Sequence, residues 1–233
     1  MTAPALPRTR IKICGLTREA DVDVAVEAGA DAIGFVLYPK SPRAVTAERA
    51  ALLASRLPPF VTPVLLFVNE DASRALSALG QVKGAIAQFH GDETPEQCEA
   101  ASGPGCFRYL RAARIPLGAA GAGFDLVKYQ ADYFHAQAIL LDAHVDGYGG
   151  GGKAFDWSLL PPAVDAHLVL SGGLTPANVS DGIRTLRTRC KSLSVDVSSG
   201  VEIDGPGNQG LKDAGKIRQF VTAVRAADAS FSS

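Results

Sequence analysis

Cysteine is scarce in this chain and follows no pattern. The four cysteines, Cys14, Cys98, Cys106 and Cys190, form no C-x-x-C pair, and none stands at zinc spacing from a histidine. That speaks against a disulfide scaffold and a structural zinc site. Charge of one sign is also missing. The 23 lysines and arginines stand against 24 aspartates and glutamates, a formal net charge of −1. Proteins that bind a nucleic-acid backbone need a cationic excess, so nucleic acid is not an expected partner. No apolar run approaches the ~20 residues that span a bilayer, so no membrane is expected. The opening residues lack the apolar segment of a secretory signal. Together these absences point to a cytoplasmic protein with free thiols. Glycine, by contrast, is plentiful at 24 of 233 residues, and many glycines directly follow apolar runs.

Eight such runs recur, at residues 10–16, 32–38, 62–68, 85–91, 107–113, 138–143, 167–173 and 192–200. Most are apolar throughout rather than alternating, which suits strands covered on both faces of a parallel sheet. Helix signals fall between them. Thr17 is a candidate cap for a helix through residue 28, Thr46 for 47–56 and Asp71 for 72–79. Thr94-Pro95-Glu96-Gln97 combines a cap, a proline at the first helical position and a capping-box glutamine. Thr175-Pro176 repeats the cap and proline before 177–187. Ile217, Phe220, Val221 and Val224 draw an apolar stripe within 211–227. Residues 118–123 (GAAGAG) read as a loop before a helix near 125–133. Residues 155–160 leave room for only a short helix.

The composition does not shift along the chain, so one domain is expected over 10–227, with a loose leader at 1–9 and a tail at 228–233. Eight β/α units are the number that closes a single (β/α)8 TIM barrel. The alternative is an open doubly wound sheet, which more often carries G-x-G-x-x-G after its first strand. Cys14-Gly15-Leu16-Thr17 does not fit that turn.

In such barrels chemistry sits at the C-terminal ends of the strands. The polar residues there are Cys14, Gln88, His90, Arg111, Asp142, Asp196, Ser198 and Ser199. Each could instead be a satisfied structural group. Ser171-Gly172-Gly173 and Ser198-Ser199-Gly200 end the last two strands, where small-residue turns form the usual phosphate site. Ordinary tight turns are the competing reading. Residues 147–153 (GYGGGGK) mimic a P-loop, but Ala154 replaces the Ser or Thr that would hold Mg²⁺. That stretch reads as a mobile loop able to close over a ligand, or else as a plain linker. Around a closed ring Cys14 and Asp142 flank the phosphate-side strands, so a thiol and a carboxyl could act as base and acid. Taken alone, a strand cysteine is more often a small core hydrophobe.

The segment Lys12-Ile13-Cys14-Gly15-Leu16-Thr17 resembles the opening motif of the phosphoribosylanthranilate isomerases. So does GFVLYPKSPR at 34–43, after the second strand. The similarity continues through Phe67-Val68-Asn69, Gln88-Phe89-His90-Gly91, Leu140-Leu141-Asp142, residues 150–153 with Phe155-Asp156-Trp157, and the segments 170–174 and 196–202. It covers residues 10–225 in order. The resemblance implies a (β/α)8 barrel and an Amadori rearrangement of a phosphoribosylated anthranilate, with neither metal nor organic cofactor. It implies that Asp142 protonates the furanose oxygen and that Cys14, as thiolate, removes the proton at the sugar C2. It places Arg43 on the anthranilate carboxylate, Asp196 near the ribose, Gln88 and His90 among the substrate-binding residues, and Gly172, Gly173, Ser199 and Gly200 on the phosphate. Phe89 departs from the family's usual leucine, and Asp146 is a second acidic residue near Asp142. The expected partner is a small phosphorylated substrate, in a monofunctional monomer or homodimer.

Two other readings compete. A metal-dependent phosphosugar epimerase would want His and Asp ligands at several strand ends, where only His90 qualifies. A silent phosphate-binding barrel would have lost Cys14 or Asp142.

Overall fold

The computed structural model describes residues 7–143 and 156–231. The glycine-rich stretch 147–153, with His144 and Asp146, lies outside the described residues. The strands are β1 (Arg10–Cys14), β2 (Ala32–Val36), β3 (Thr62–Phe67), β4 (Ile86–Phe89), β5 (Tyr109–Ile115), β6 (Ala138–Ala143), β7 (Val164–Leu170) and β8 (Cys190–Val197). All pair in parallel, in chain order, and β1 closes on β8. The helices are α1 (Glu19–Ala28), α2 (Ala47–Ala54), α3 (Ala72–Gln81), α4 (Pro95–Ser102), α5 (Leu126–Asp132), α6 (Val179–Leu186) and α7 (Ala214–Ala229). Between β6 and β7 the described residues hold only the 3-10 turn Trp157–Leu159. The expected closed barrel is the observed one.

Local chemistry explains most helix starts. Thr46 accepts from the Arg49 N–H, Asp71 from Ser73 and Arg74, and Thr94 with Gln97 completes the capping box. Two expected starts differ. Thr17 does not cap α1, because its hydroxyl donates to the Gly210 carbonyl, and Arg18 stands at the cap position instead. Helix α6 begins at Val179, not after Pro176. Thr175 accepts from the Ala177 N–H, and Asn178 accepts from Thr175 N and donates to Gly173 O, so residues 173–178 form a braced turn.

Strand β7 starts three residues before the expected 167. Its first half alternates exposed Asp165 and His167 with buried Val164 and Ala166, and its pairing with β8 is irregular there. The expected leader and tail also differ at their inner ends. Thr9 is buried and donates twice to Asp228, from its N–H at 2.9 Å and its hydroxyl at 2.6 Å. Arg187 donates to the same hydroxyl at 2.7 Å. A buried guanidinium must be paired, so both chain ends are drawn onto it, and α7 runs on to Ala229.

The main apolar cluster joins the outward strand faces to the helices, with Phe35, Phe67, Phe89 and Phe220 its largest members. The barrel interior is separate and smaller. Cys14, Val36, Leu66 and Val68 form one cluster, and Ala112, Leu140 and Val169 another. Side chains alternate across a strand, so the interior also receives Lys12, Gln88, Asp142 and Asp196.

Candidate active site

Polar residues fill the upper layer of the interior, and they form one line of contacts across the mouth. Lys12, two residues before Cys14 on β1, donates to Asp196 Oδ1 on β8 at 2.8 Å. The register of β1 on β8 puts these two residues side by side. Ser171, after β7, donates to the other oxygen of Asp196 at 3.2 Å. The next residue, Gly172, has φ +74°, and a Cβ there would lie 2.7 Å from Asp142 Oδ1. Only glycine allows both that conformation and that approach. Asp142 Oδ1 accepts from the Ala143 N–H at 2.9 Å, and its Oδ2 meets His90 Nε2 at 2.9 Å. Gln88 Nε2 faces His90 Nδ1 at 3.0 Å. With the amide nitrogen donating, Nδ1 is the acceptor and the ring proton sits on Nε2, aimed at Asp142. Gln88 Oε1 is buried and has no partner among the described residues.

Cys14 is buried, and burial pushes its thiol up, with the Lys12 ammonium the strongest opposing influence. Burial works against the charge on Lys12, but Asp196 and then Cys14 outweigh it and hold that pKa above the usual lysine range. Lys12, Asp196 and Cys14 thus form a buried group in which the two charges of Lys12 and Asp196 pair with one another, as low-dielectric surroundings require.

Arg43, in the segment after β2, is buried and makes a two-pronged pair with Glu202, Nε to Oε1 at 2.6 Å and Nη2 to Oε2 at 2.8 Å. This is the fork geometry by which guanidinium recognises carboxylate. Lys212 joins them, donating to Glu202 Oε1 at 3.0 Å and to the Ser198 carbonyl at 3.0 Å. Burial tends to raise Glu202, but Arg43 and Lys212 outweigh it and hold the carboxyl below its usual range. Burial lowers Lys212 against the pull of Glu202.

The β7 and β8 turns lie against one another. Ser199–Val201 is a 3-10 turn, and a Cβ on Gly200 would stand only 1.9 Å from the Leu174 carbonyl oxygen. Gly172, Gly173, Ser199 and Gly200 therefore belong to two interlocked loops beside Asp196 and Asp142.

Arg111 is not part of this site. It points outward from β5, donates to the Phe89 carbonyl at 2.9 Å and to Glu93 at 3.2 Å, and lies 4.9 Å from the Tyr133 ring. Ser198 is turned to Lys212. Sequence reasoning passed over Lys12 and Lys212 as site residues. For Lys12 a signal existed, since a lysine two residues from Cys14 on an apolar strand must share its face. For Lys212, which sits in a loop, none did. Among the described residues no group of three or more His, Cys, Asp or Glu could hold a metal ion, and no helix is long and apolar enough to cross a membrane.

The family model described as N-(5'phosphoribosyl)anthranilate (PRA) isomerase matches residues 11–223. The N-(5'-phosphoribosyl)anthranilate isomerase of Leptothrix cholodnii is 59% identical over 222 residues, covering 95% of this chain and 93% of the relative. The crystal structure of phosphoribosyl anthranilate isomerase from Thermotoga maritima is similar with a TM-score of 0.78 at 37% identity, over 94% of this chain and 99% of that one. Another crystal structure is of a phosphoribosyl anthranilate isomerase in complex with reduced 1-(o-carboxyphenylamino)-1-deoxyribulose 5-phosphate. It is similar with a TM-score of 0.72 at 33% identity, over 94% of this chain and 99% of that one.

Proposed function

The chain belongs to the N-(5'-phosphoribosyl)anthranilate isomerase family, and from that premise we propose that Asp142 and Cys14 are the acid and base of its reaction. The activity is the Amadori rearrangement of N-(5-phosphoribosyl)anthranilate to 1-(2-carboxyphenylamino)-1-deoxyribulose 5-phosphate, a step of tryptophan biosynthesis. The observation that carries the assignment is the contact line from Lys12, beside Cys14, through Asp196 and Ser171 to Gly172 and Asp142.

The Asp142 carboxyl donates its proton to the furanose oxygen. The ring C–O bond breaks as the anilino nitrogen forms a Schiff base with C1. The Cys14 thiolate takes the proton at C2, the C–H electrons form the C1–C2 double bond, and the nitrogen recovers its lone pair. The resulting enolamine tautomerises to the ketose. His90 supports the carboxylate left on Asp142 through its Nε2–H, and Gln88 Oε1 is the buried acceptor left to meet a sugar hydroxyl. Asp196, charge-balanced by Lys12, lies on the ribose side.

Arg43 offers two edges to carboxylates. Glu202 takes the Nε–Nη2 edge, and the Nη1–Nη2 edge faces the anthranilate carboxylate. Backbone N–H groups of Gly172, Gly173, Ser199 and Gly200 hold the phosphate, whose approach these small-residue turns allow. The balanced charge and four unpaired cysteines support a small-molecule partner and a cytoplasmic setting.

The test is turnover in Cys14→Ser and Asp142→Asn, followed by the fluorescence decay of freshly made phosphoribosylanthranilate. A positioned acid or base contributes about 10²–10⁴-fold, so each variant should lose that much in kcat while staying folded. Near-wild-type turnover in either removes that residue from the mechanism.

A further inference from the structure

We propose that Lys12 is a positioning residue of this reaction: its ammonium, fixed by Asp196 inside the barrel, faces the Cys14 sulfur and stabilises the thiolate that removes the sugar proton. The inference rests on the acid-base reading above and extends it to a residue two positions away on the same strand face.

The geometry converges on one point. Gly34 of β2 pairs with Cys14. A Cβ on Gly34 would lie 2.6 Å from Cys14 Sγ and 3.0 Å from Lys12 Nζ. Both atoms therefore lean into the space that this glycine leaves open. Lys12 is held there rather than free to swing, because Nζ donates to Asp196 Oδ1 at 2.8 Å while Ser171 engages Asp196 Oδ2. An unpaired lysine in such a place would give up its proton, and Asp196 prevents that.

The charged groups around the sulfur are few. Lys12 stands on the same strand, Asp196 on β8, and Lys212 in the segment before α7. Arg43 and Glu202 lie behind Lys212 and pair with each other. On the side of β2 and β3 Cys14 meets apolar Val36, Leu66 and Val68. Burial disfavours a thiolate here, and Lys12 is the leading influence in its favour. The thiol gives its proton to solvent, and the sulfur then accepts the C2 proton as the C–H electrons pass into the new double bond. Without the ammonium the sulfur would sit between an apolar wall and a carboxylate, and its thiolate would be disfavoured further.

The experiment titrates thiolate ultraviolet absorbance, taken as the difference between each protein and its Cys14→Ser counterpart. Wild type is compared with Lys12→Met and with Lys12→Met/Asp196→Asn. In Lys12→Met the Cys14 midpoint should rise by about one unit or more, which is about tenfold less thiolate at a given pH, and kcat should fall in parallel. The double variant leaves no orphaned carboxylate, so it keeps the test open if the single variant does not fold. Its midpoint should move in the same direction by a smaller amount. A wild-type signal that titrates no earlier than that of the variants overturns the proposal. Failure of the underlying reading looks different, because a Cys14→Ser enzyme with wild-type turnover would dismiss Cys14 as the base and leave the titration result standing.

Discussion

One added methyl group at Gly200 tests the phosphate end of the site. A Cβ there would stand 1.9 Å from the Leu174 carbonyl oxygen, 2.9 Å from its carbon and 3.2 Å from Thr175 Cα. Carbon and carbonyl oxygen settle no closer than about 3.3 Å even in favourable C–H···O contacts. In Gly200→Ala the β8 turn must therefore draw away from the β7 turn by roughly 1.4 Å. Overpacking of that kind costs about 1–3 kcal/mol. For a chain of this size the melting temperature should fall by roughly 2–12 °C. The larger effect is on the ligand. Displacements of about 1 Å cost on the order of 10²-fold in rate, so kcat/KM should drop about a hundredfold, or roughly 2.7 kcal/mol. The assay is fluorescence decay of freshly made substrate, with inorganic phosphate as competitor. KM and the phosphate inhibition constant should rise together, because both report the same turns. A folded Gly200→Ala enzyme with wild-type KM and wild-type phosphate inhibition would refute the assignment of these loops to phosphate.

Arg43→Lys keeps a cation opposite Glu202 but loses the planar fork. KM for the aromatic substrate should rise about tenfold, or 1.4 kcal/mol, and an unchanged KM would take the anthranilate carboxylate away from Arg43. His90→Leu removes the donor on Asp142 Oδ2. Steady-state kinetics should show kcat falling with little change in KM, and thermal unfolding a loss of about 1–3 kcal/mol; unaltered kcat would leave His90 without influence on the acid. Glu202 carries a pH signature. Its carboxyl is held below the usual range in the folded protein, so on acidification the unfolded chain takes up that proton first. The stability it contributes is present at neutral pH and drains away as the pH falls through its folded value. Glu202→Gln should start from a lower stability and lose less of it on acidification, measured as denaturant midpoints at neutral and acidic pH, and an acid slope equal to wild type contradicts the pairing.

Residues whose bonds are local were legible before any coordinates. The run at 138–143 is β6 as observed, and Thr46, Asp71 and Thr94 cap helices through bonds spanning two or three residues. Errors came where distant partners intervened. Thr17 bonds across 193 residues to Gly210 rather than to its own helix. Thr9 and Asp228 join the two chain ends. The irregular start of β7 follows its neighbour β8 rather than its own apolar pattern. Cys14 and Asp142 stood out as polar groups ending apolar strands, and Arg111 stood out for the same reason although it faces the helices. Composition does not tell the two faces of a strand end apart.

The order of residues by itself determined eight strands, most of their helices and the polar candidates at the strand ends, because periodicity and caps act over a few neighbouring positions. Only the tertiary structure decided which candidates meet. Lys12 reaches Asp196 across 184 residues because the barrel closes β1 on β8. His90 reaches Asp142 because both point into the same narrow interior. Buried charges and hydrogen-bonding groups are tolerated only with partners, and ring closure is what supplies those partners.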